Sequence, residues 1–253
     1  MRAFVAVLPP QPAVEDLSDF LTPRREASGA GAPAPRWTRD EHLHLTLAFL
    51  PEVADRDLDE LVERLGEAAA ARSVGPMRLA GGGAFPDAAF ARVLWVGVEP
   101  ADVAAGPGVS ARQGASAGPD VSAGLGASAG PDVSAGTGVA AGLGALAGPD
   151  VVAGSDVFAG MDVSEELTRL AGGVRSAAGR AGVVVEGGPF RPHVTVARMG
   201  RAKEATRWLR VLQTYRGPRW QPDEVALMAS HLGQGPRRTP RYEVLETFAL
   251  ARG

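Results

Sequence analysis

No cysteine occurs among the 253 residues. That absence removes disulfides, thiolate metal sites and cysteine nucleophiles together. Lysine is almost missing as well: Lys203 is the only one, so nearly every cation is an arginine. This bias reads as genome composition before it reads as anion recognition. The net charge is −3, so no global positive field draws the protein onto nucleic acid. Any phosphate contact must come from a few placed residues. Long apolar runs are missing too. The opening MRAFVAVLPPQP carries a run of six apolar residues before its prolines, too short for a signal peptide or a membrane span. A cytoplasmic location, away from any membrane, is the expectation.

Glycine is in excess, with 33 residues, and one tract concentrates it. From Gly118 the sequence reads GPDVSA, GLGASA, GPDVSA, GTGVAA, GLGALA, GPDVVA, GSDVFA. GPGVSA at 106 and RQGASA at 112 keep the register upstream, and GMDVSE at 160 closes it. The ten hexads occupy 106–165, and the sixty residues 101–160, ten hexads in length, carry as large apolar side chains only Leu125, Leu143, Leu146 and Phe158. Hexapeptide repeats can stack as a parallel β-helix when a bulky aliphatic fills one position of every turn. Here that position alternates between valine and alanine, and ordering so much glycine has little buried area to offset it. The composition fits a disordered insert better than a coil.

Outside the tract the chain reads as two similar halves. The first opens with a strand at Ala3–Leu8, then a helix around Val14–Leu21, then the strand Leu43–Leu50 carrying His44 and Thr46. The second opens with the strand Arg92–Glu99. A helix with Ser164 as its N-cap, running to about Gly179, comes after the hexads, and then the strand Val194–Ala197 carries the second motif, His193 and Thr195. Phe4 lies 40 residues before His44; Leu94 lies 99 before His193, or 39 once the sixty hexad residues are set aside. Those matched distances argue for a duplicated unit whose second copy was interrupted. Amphipathic helices are expected over 54–71 and 201–215. Strands are expected over 77–80, 224–230 and 242–250. Residues 1–100 and 161–253 would then form one domain, with 101–160 inserted in it.

Side chains two apart on a strand face the same way. HLHLTLAFL therefore puts His44 and Thr46 on one face and leucines on the other, and FRPHVTVAR does the same with His193 and Thr195. Two imidazoles facing each other across a cleft suit phosphodiester chemistry. One, neutral, takes a proton from the attacking oxygen, and the other, protonated, delivers one to the leaving oxygen. Histidine serves both roles because its pKa lies near ~6.5. The threonine hydroxyls can donate to phosphate oxygens, and the scheme calls for no metal or organic cofactor.

WTRDEHLHLTLAFL, GGGAFP at 81–86, RVLWVGVEP at 92–100, FRPHVTVAR and SHLGQGPRRTPRYEVLETFAL together resemble the two-histidine (2H) phosphoesterase superfamily. Among its members they most resemble the bacterial and archaeal RNA 2′,3′-cyclic phosphodiesterases, also called 2′-5′ RNA ligases. The resemblance implies an α+β fold, bilobal, with two pseudo-symmetric antiparallel sheets and outer helices around a central cleft. It implies hydrolysis of a 2′,3′-cyclic phosphate to a 2′-phosphomonoester, and possible 2′-5′ ligation in reverse. His44 falls on the proton donor, His193 on the proton acceptor, and Thr46, Thr195 and Arg198 on phosphate contacts. The residues alone do not choose Arg198 over Arg191. Arg198 lies five past His193, an odd spacing that an ideal strand would turn away from the histidine. Pro51 stands where the family commonly has glycine after its phenylalanine and leucine.

Phe49 and Tyr242 are further candidates, as stacking platforms for a base. His42 shares the expected strand with His44 but reads as a neighbour, and His231 as a surface group. Expected partners are RNA ends or small cyclic nucleotides, met by a monomer. Two other readings keep the same strands: a site acting on another small cyclic phosphate or a 2′-5′ oligonucleotide, and a module that binds RNA ends or nucleotides without turnover.

Overall fold

In the computed structural model of the chain, which describes residues 1–27, 35–101, 163–235 and 239–252, the apolar run Ala3–Val7 forms strand β1. All five of its residues are buried, so it lies at the centre of a sheet rather than at an edge. Helix α1 (Gln11–Ala27) comes next, then the short strand β2 (Arg36–Trp37) and strand β3 (Leu45–Leu50). Helix α2 (Leu58–Ala70), strand β4 (Met77–Phe85) and strand β5 (Ala91–Pro100) complete the part before the hexads. After them come α3 (Val163–Arg180), β6 (His193–Lys203), α4 (Thr206–Leu212), β7 (Glu224–His231) and β8 (Arg241–Ala249). Residues 102–162, and with them the first nine hexads, lie outside the described residues; the end of the last hexad opens α3.

The strands pair antiparallel in the order β4-β5-β6-β3-β1-β7-β8, with β2 beside β6. Two halves are visible in that order. In one, β1 lies between β3 and β7; in the other, β5 lies between β6 and β4. They meet where β3 touches β6, through the single pair Leu45 and Val194. Each of these residues directly follows its motif histidine. Equivalent residues pairing with each other is what a local two-fold axis through an antiparallel contact requires. The expected α+β fold with two pseudo-symmetric lobes is therefore present, and its two sheets are continuous through that pair.

One sheet face is covered by helices. Leu61, Leu65 and Ala69 of α2 recur at four-residue spacing and are fully buried, as are Leu167, Leu170, Ala171 and Val174 of α3. That spacing sets one stripe of each helix against the sheet. Burying a leucine of this kind contributes about 2 kcal/mol, and Leu167→Ala would cost about 2–5 kcal/mol. The opposite face carries a smaller apolar patch: Phe4, Ala6, Ala226 and Met228, flanked by Leu8, Phe49 and Tyr242. No described helix is long and apolar enough to cross a membrane.

Several elements differ from the sequence expectations. The first-motif strand starts at Leu45, and a 3₁₀ turn over Asp40–His42 precedes it, so His42 is not on the strand. Strand β4 runs on to Phe85 because β5 pairs with it along its whole length. The helix expected from Arg201 starts only at Thr206, since β6 continues to Lys203 opposite Ala91. Ser164 falls inside α3, not at its cap.

Candidate active site

The pair Leu45 and Val194 turns its side chains into the core, where both are buried. Their neighbours His44, Thr46, His193 and Thr195 therefore share the opposite face. Carried one residue either way, the register sets His44 across from Thr195, and Thr46 across from His193. All four motif side chains meet on one surface.

The two halves repeat a detail that simple alternation does not reveal. On β3, Ala48 pairs with Val5 but Thr46 pairs with Ala6, so Leu47 is an extra residue. On β6, Ala197 pairs with Leu94 but Thr195 pairs with Trp95, so Val196 is extra. These are β-bulges at equivalent places, three residues past each histidine. A bulge shifts the alternation by one and re-aims the side chains beyond it. It brings Phe49 onto the face of Thr46, opposite Phe4. It likewise brings Arg198 onto the face of Thr195, opposite Val93. The bulge thus answers the odd spacing of Arg198. Each extra residue's carbonyl is held from outside these ladders: Thr38 donates its amide to the Val196 carbonyl at 2.9 Å, and Arg175 donates Nε–H to the Leu47 carbonyl at 3.0 Å.

The imidazoles are oriented identically. His44 Nδ1 is 2.7 Å from the His42 carbonyl, and His193 Nδ1 is 2.7 Å from the Arg191 carbonyl. A carbonyl only accepts, so Nδ1 carries the proton in both rings and Nε2 is the atom left for chemistry. The carbonyl of His42 comes from the 3₁₀ turn, which α1 anchors. There Ser18 donates to Asp40 at 2.7 Å, and Arg25 pairs with Asp40 at 3.1 Å.

Aromatic rings flank both histidines. Phe4 stacks on His44 with centroids 4.7 Å apart, and Tyr242 meets it edge-on at 5.5 Å. Phe85 lies 4.9 Å from His193 and Trp95 lies 6.0 Å from it. The sequence reading missed Phe4, Phe85 and Trp95 as site residues. The signal for the last two was GGGAFP. A Cβ on Gly83 would sit 2.1 Å from the Trp95 ring, so glycine there is what lets the indole lie against β4.

Burial pushes the His44 imidazole down to about 4, against the His42 carbonyl, which favours the charged ring; Arg198 adds to the lowering. His193 is lowered for the same first cause, with the Arg191 carbonyl opposing and Arg198 assisting. Arg198 is thus close enough for its charge to act on both rings. Tyr242 is raised by burial, while Arg198 and Arg2 pull the other way.

Of the other candidates, Phe49 carries the Arg2 guanidinium over its ring at 4.4 Å. His42 contacts Tyr242 at 4.6 Å rather than lying along the strand. His231 stands apart, 3.3 Å from Glu243. The side chain of Arg191 is exposed, and only its backbone carbonyl enters this arrangement. Among the described residues no three histidine, aspartate or glutamate side chains gather where they could hold one ion.

A family model described as LigT like phosphoesterase matches residues 8–95 and 160–237 of the chain. Over 101 residues the chain is 37% identical to an RNA 2′,3′-cyclic phosphodiesterase of Archaeoglobus fulgidus, a match spanning 39% of this chain and 52% of that protein. Over 63 residues it is 32% identical to an Aquifex aeolicus protein of the same name, spanning 25% of this chain and 34% of that one. The chain therefore matches about half or less of the length of these curated relatives. Among solved structures, that of E. coli LigT complexed with 3′-AMP has a TM-score of 0.57 at 21% identity. The match covers 99% of this chain and 98% of that one, a likeness of fold.

Proposed function

Because the chain belongs to the LigT-like phosphoesterase family, we propose that it hydrolyses 2′,3′-cyclic phosphates of RNA ends or nucleotides to 2′-phosphomonoesters. Two curated relatives are named as RNA 2′,3′-cyclic phosphodiesterases, which supports the substrate class. The observation that carries the reading is the matched pair of Nδ1–carbonyl bonds, which leaves two Nε2 atoms on one face.

In this scheme His193 is neutral and takes a proton from water as the water oxygen bonds to phosphorus. The bond from phosphorus to the 3′ oxygen breaks, and protonated His44 gives that oxygen its proton. The products are a 2′-phosphomonoester and a 3′ hydroxyl, with the two rings' protonation exchanged and restored through solvent. Thr46, Thr195 and Arg198 donate to the non-bridging oxygens as charge builds on them. In the unliganded site His44 is driven down to about 4, so its acid form depends on the bound phosphate, whose negative charge favours the protonated ring. With a 5′ hydroxyl of a second strand in place of water, the same steps form a bond from that oxygen to phosphorus and break the bond to the 3′ oxygen, which leaves a 2′-5′ linkage and a 3′ hydroxyl. In this reading Phe49 and Tyr242 stack a base.

The test is product analysis. With 2′,3′-cyclic AMP and EDTA present, 2′-AMP should accumulate. A requirement for a divalent metal, or 3′-AMP as the product, would contradict the scheme.

A further inference from the structure

Arg36 lies directly opposite Arg198 in the pairing of β2 with β6. Directly opposed residues of an antiparallel pair point to the same side, with Cβ atoms about 5 Å apart. Arg198 shares its face with Thr195 and His193, because its other partner Val93 alternates with Trp95 and Gly97 along β5. Arg36 therefore stands on the face of the histidines, one strand to the side.

This arrangement is costly by itself. Like charges directly opposite one another destabilise a sheet. Among the described residues neither guanidinium has a carboxylate within 4 Å, although the neighbouring Arg39 is paired with Glu41. Trp37, next to Arg36, packs under the sheet against Trp208, so the backbone of β2 is fixed and the outward direction of Arg36 with it. Thr38 then anchors the strand through the carbonyl of the Val196 bulge. The two arginines are held together by the same local structure that aims Arg198.

Their reach differs. The charge of Arg198 acts on both imidazoles, whereas Arg36 is not among the charges that act on either. Arg36 is exposed on that face, one strand further out than Arg198. A 2′,3′-cyclic phosphate closes the 3′ end of a chain, so the next phosphate of such a substrate is on the 5′ oxygen of the terminal nucleoside. In a protein of net charge −3, a placed guanidinium pair is the means by which a second phosphate would be recognised.

We propose that Arg36, beside Arg198, binds the 5′-phosphate of the terminal nucleoside, so that the preferred substrate is an RNA end rather than a free cyclic nucleoside phosphate. This rests on the cyclic-phosphodiesterase reading above, and its test separates the two. Three substrates are compared: a nucleoside 2′,3′-cyclic phosphate with a 5′ hydroxyl, the same compound with a 5′-phosphate, and a short oligoribonucleotide ending in the cyclic phosphate. In the wild type, kcat/KM should rise about tenfold when the 5′-phosphate is added, and the oligonucleotide should keep that gain. In Arg36→Ala the ratio between phosphorylated and unphosphorylated substrates should fall to near one, with Arg36→Lys between the two. The salt dependence of the oligonucleotide reaction should flatten by about 0.7 in log–log slope, the value for one single-strand phosphate. An unchanged ratio in Arg36→Ala would overturn the proposal. So would an equal loss on all three substrates, which would mark a general effect on the fold. If the oligonucleotide gains and the 5′-phosphorylated mononucleotide does not, the 5′-phosphate assignment is overturned. If the wild type hydrolyses none of the three, the catalytic reading fails by itself. Fluorescence anisotropy of a labelled oligonucleotide then reads the subsite: tenfold weaker binding in Arg36→Ala supports it, and equal binding overturns it.

Discussion

In the half of the sheet built by β1, β3, β7 and β8, the residue five past the histidine is Phe49; in the half built by β4, β5 and β6 it is Arg198. Almost everything that positions those two residues is the same. Each histidine gives Nδ1 to a carbonyl two residues back, at 2.7 Å in both cases. Each strand then bulges three residues on, and each bulged carbonyl is held by a donor from elsewhere. The difference lies in what the repeated backbone presents. One half offers an aromatic face, the other a cation whose charge acts on both rings. Backbone symmetry supplies two equivalent Nε2 atoms, and side-chain asymmetry supplies a positive charge on one side only.

Removing either imidazole should be the largest blow to that arrangement. His44→Ala and His193→Ala should each lower kcat about 10³-fold, within the usual range for general acid–base groups. Next comes the asymmetric cation: Arg198→Gln should cost about 10²-fold in kcat/KM, as for a lost donor to developing charge. It should also move the pH profile. Both imidazoles titrate below 6.5 in the unliganded protein, so the singly protonated pair is most populated on the acid side of 6.5. The optimum of kcat/KM, which reports the free enzyme, should lie there. Arg198 holds both rings down, so Arg198→Gln should shift that optimum upward; a downward shift would contradict its position.

Smaller effects probe the bulges. Thr46→Val and Thr195→Val should each reduce kcat/KM about tenfold, and near-equal losses would express the symmetry of the two hydroxyls. Arg175→Ala would leave the Leu47 carbonyl without its donor while the Val196 carbonyl keeps Thr38. A loss of about 1–3 kcal/mol in chemical denaturation is expected.

The sequence made the motif pairs legible because period two is a property of any strand, and His-x-Thr uses only that. The outer helices were legible from their apolar stripes, though α4 came out shorter than its pattern. That pattern ran through Arg201–Lys203, which β6 claims by pairing with Ala91. The bulges were not read, although a trace was present. Leu47–Ala48 and Val196–Ala197 are consecutive apolar residues where alternation calls for one, and all four are buried. The Nδ1 bonds depend on carbonyls two residues back, whose direction no residue type reveals. Trp95 and Phe4 were legible as strand residues only. Their place beside the imidazoles comes from which strand lies next to which. Arg36 was invisible for the same reason, since a two-residue strand has no period, and only its register opposite Arg198 gives it meaning.

The central claim is that His44 and His193 act as one acid–base unit. A double-mutant cycle in kcat on a 2′,3′-cyclic nucleotide, with EDTA present, tests it most directly. Groups that work as a unit are strongly non-additive. His44→Ala/His193→Ala should therefore be no more than a few-fold slower than the worse single variant. A double variant whose loss equals the product of the two single losses, or activity that survives either substitution, would contradict the account.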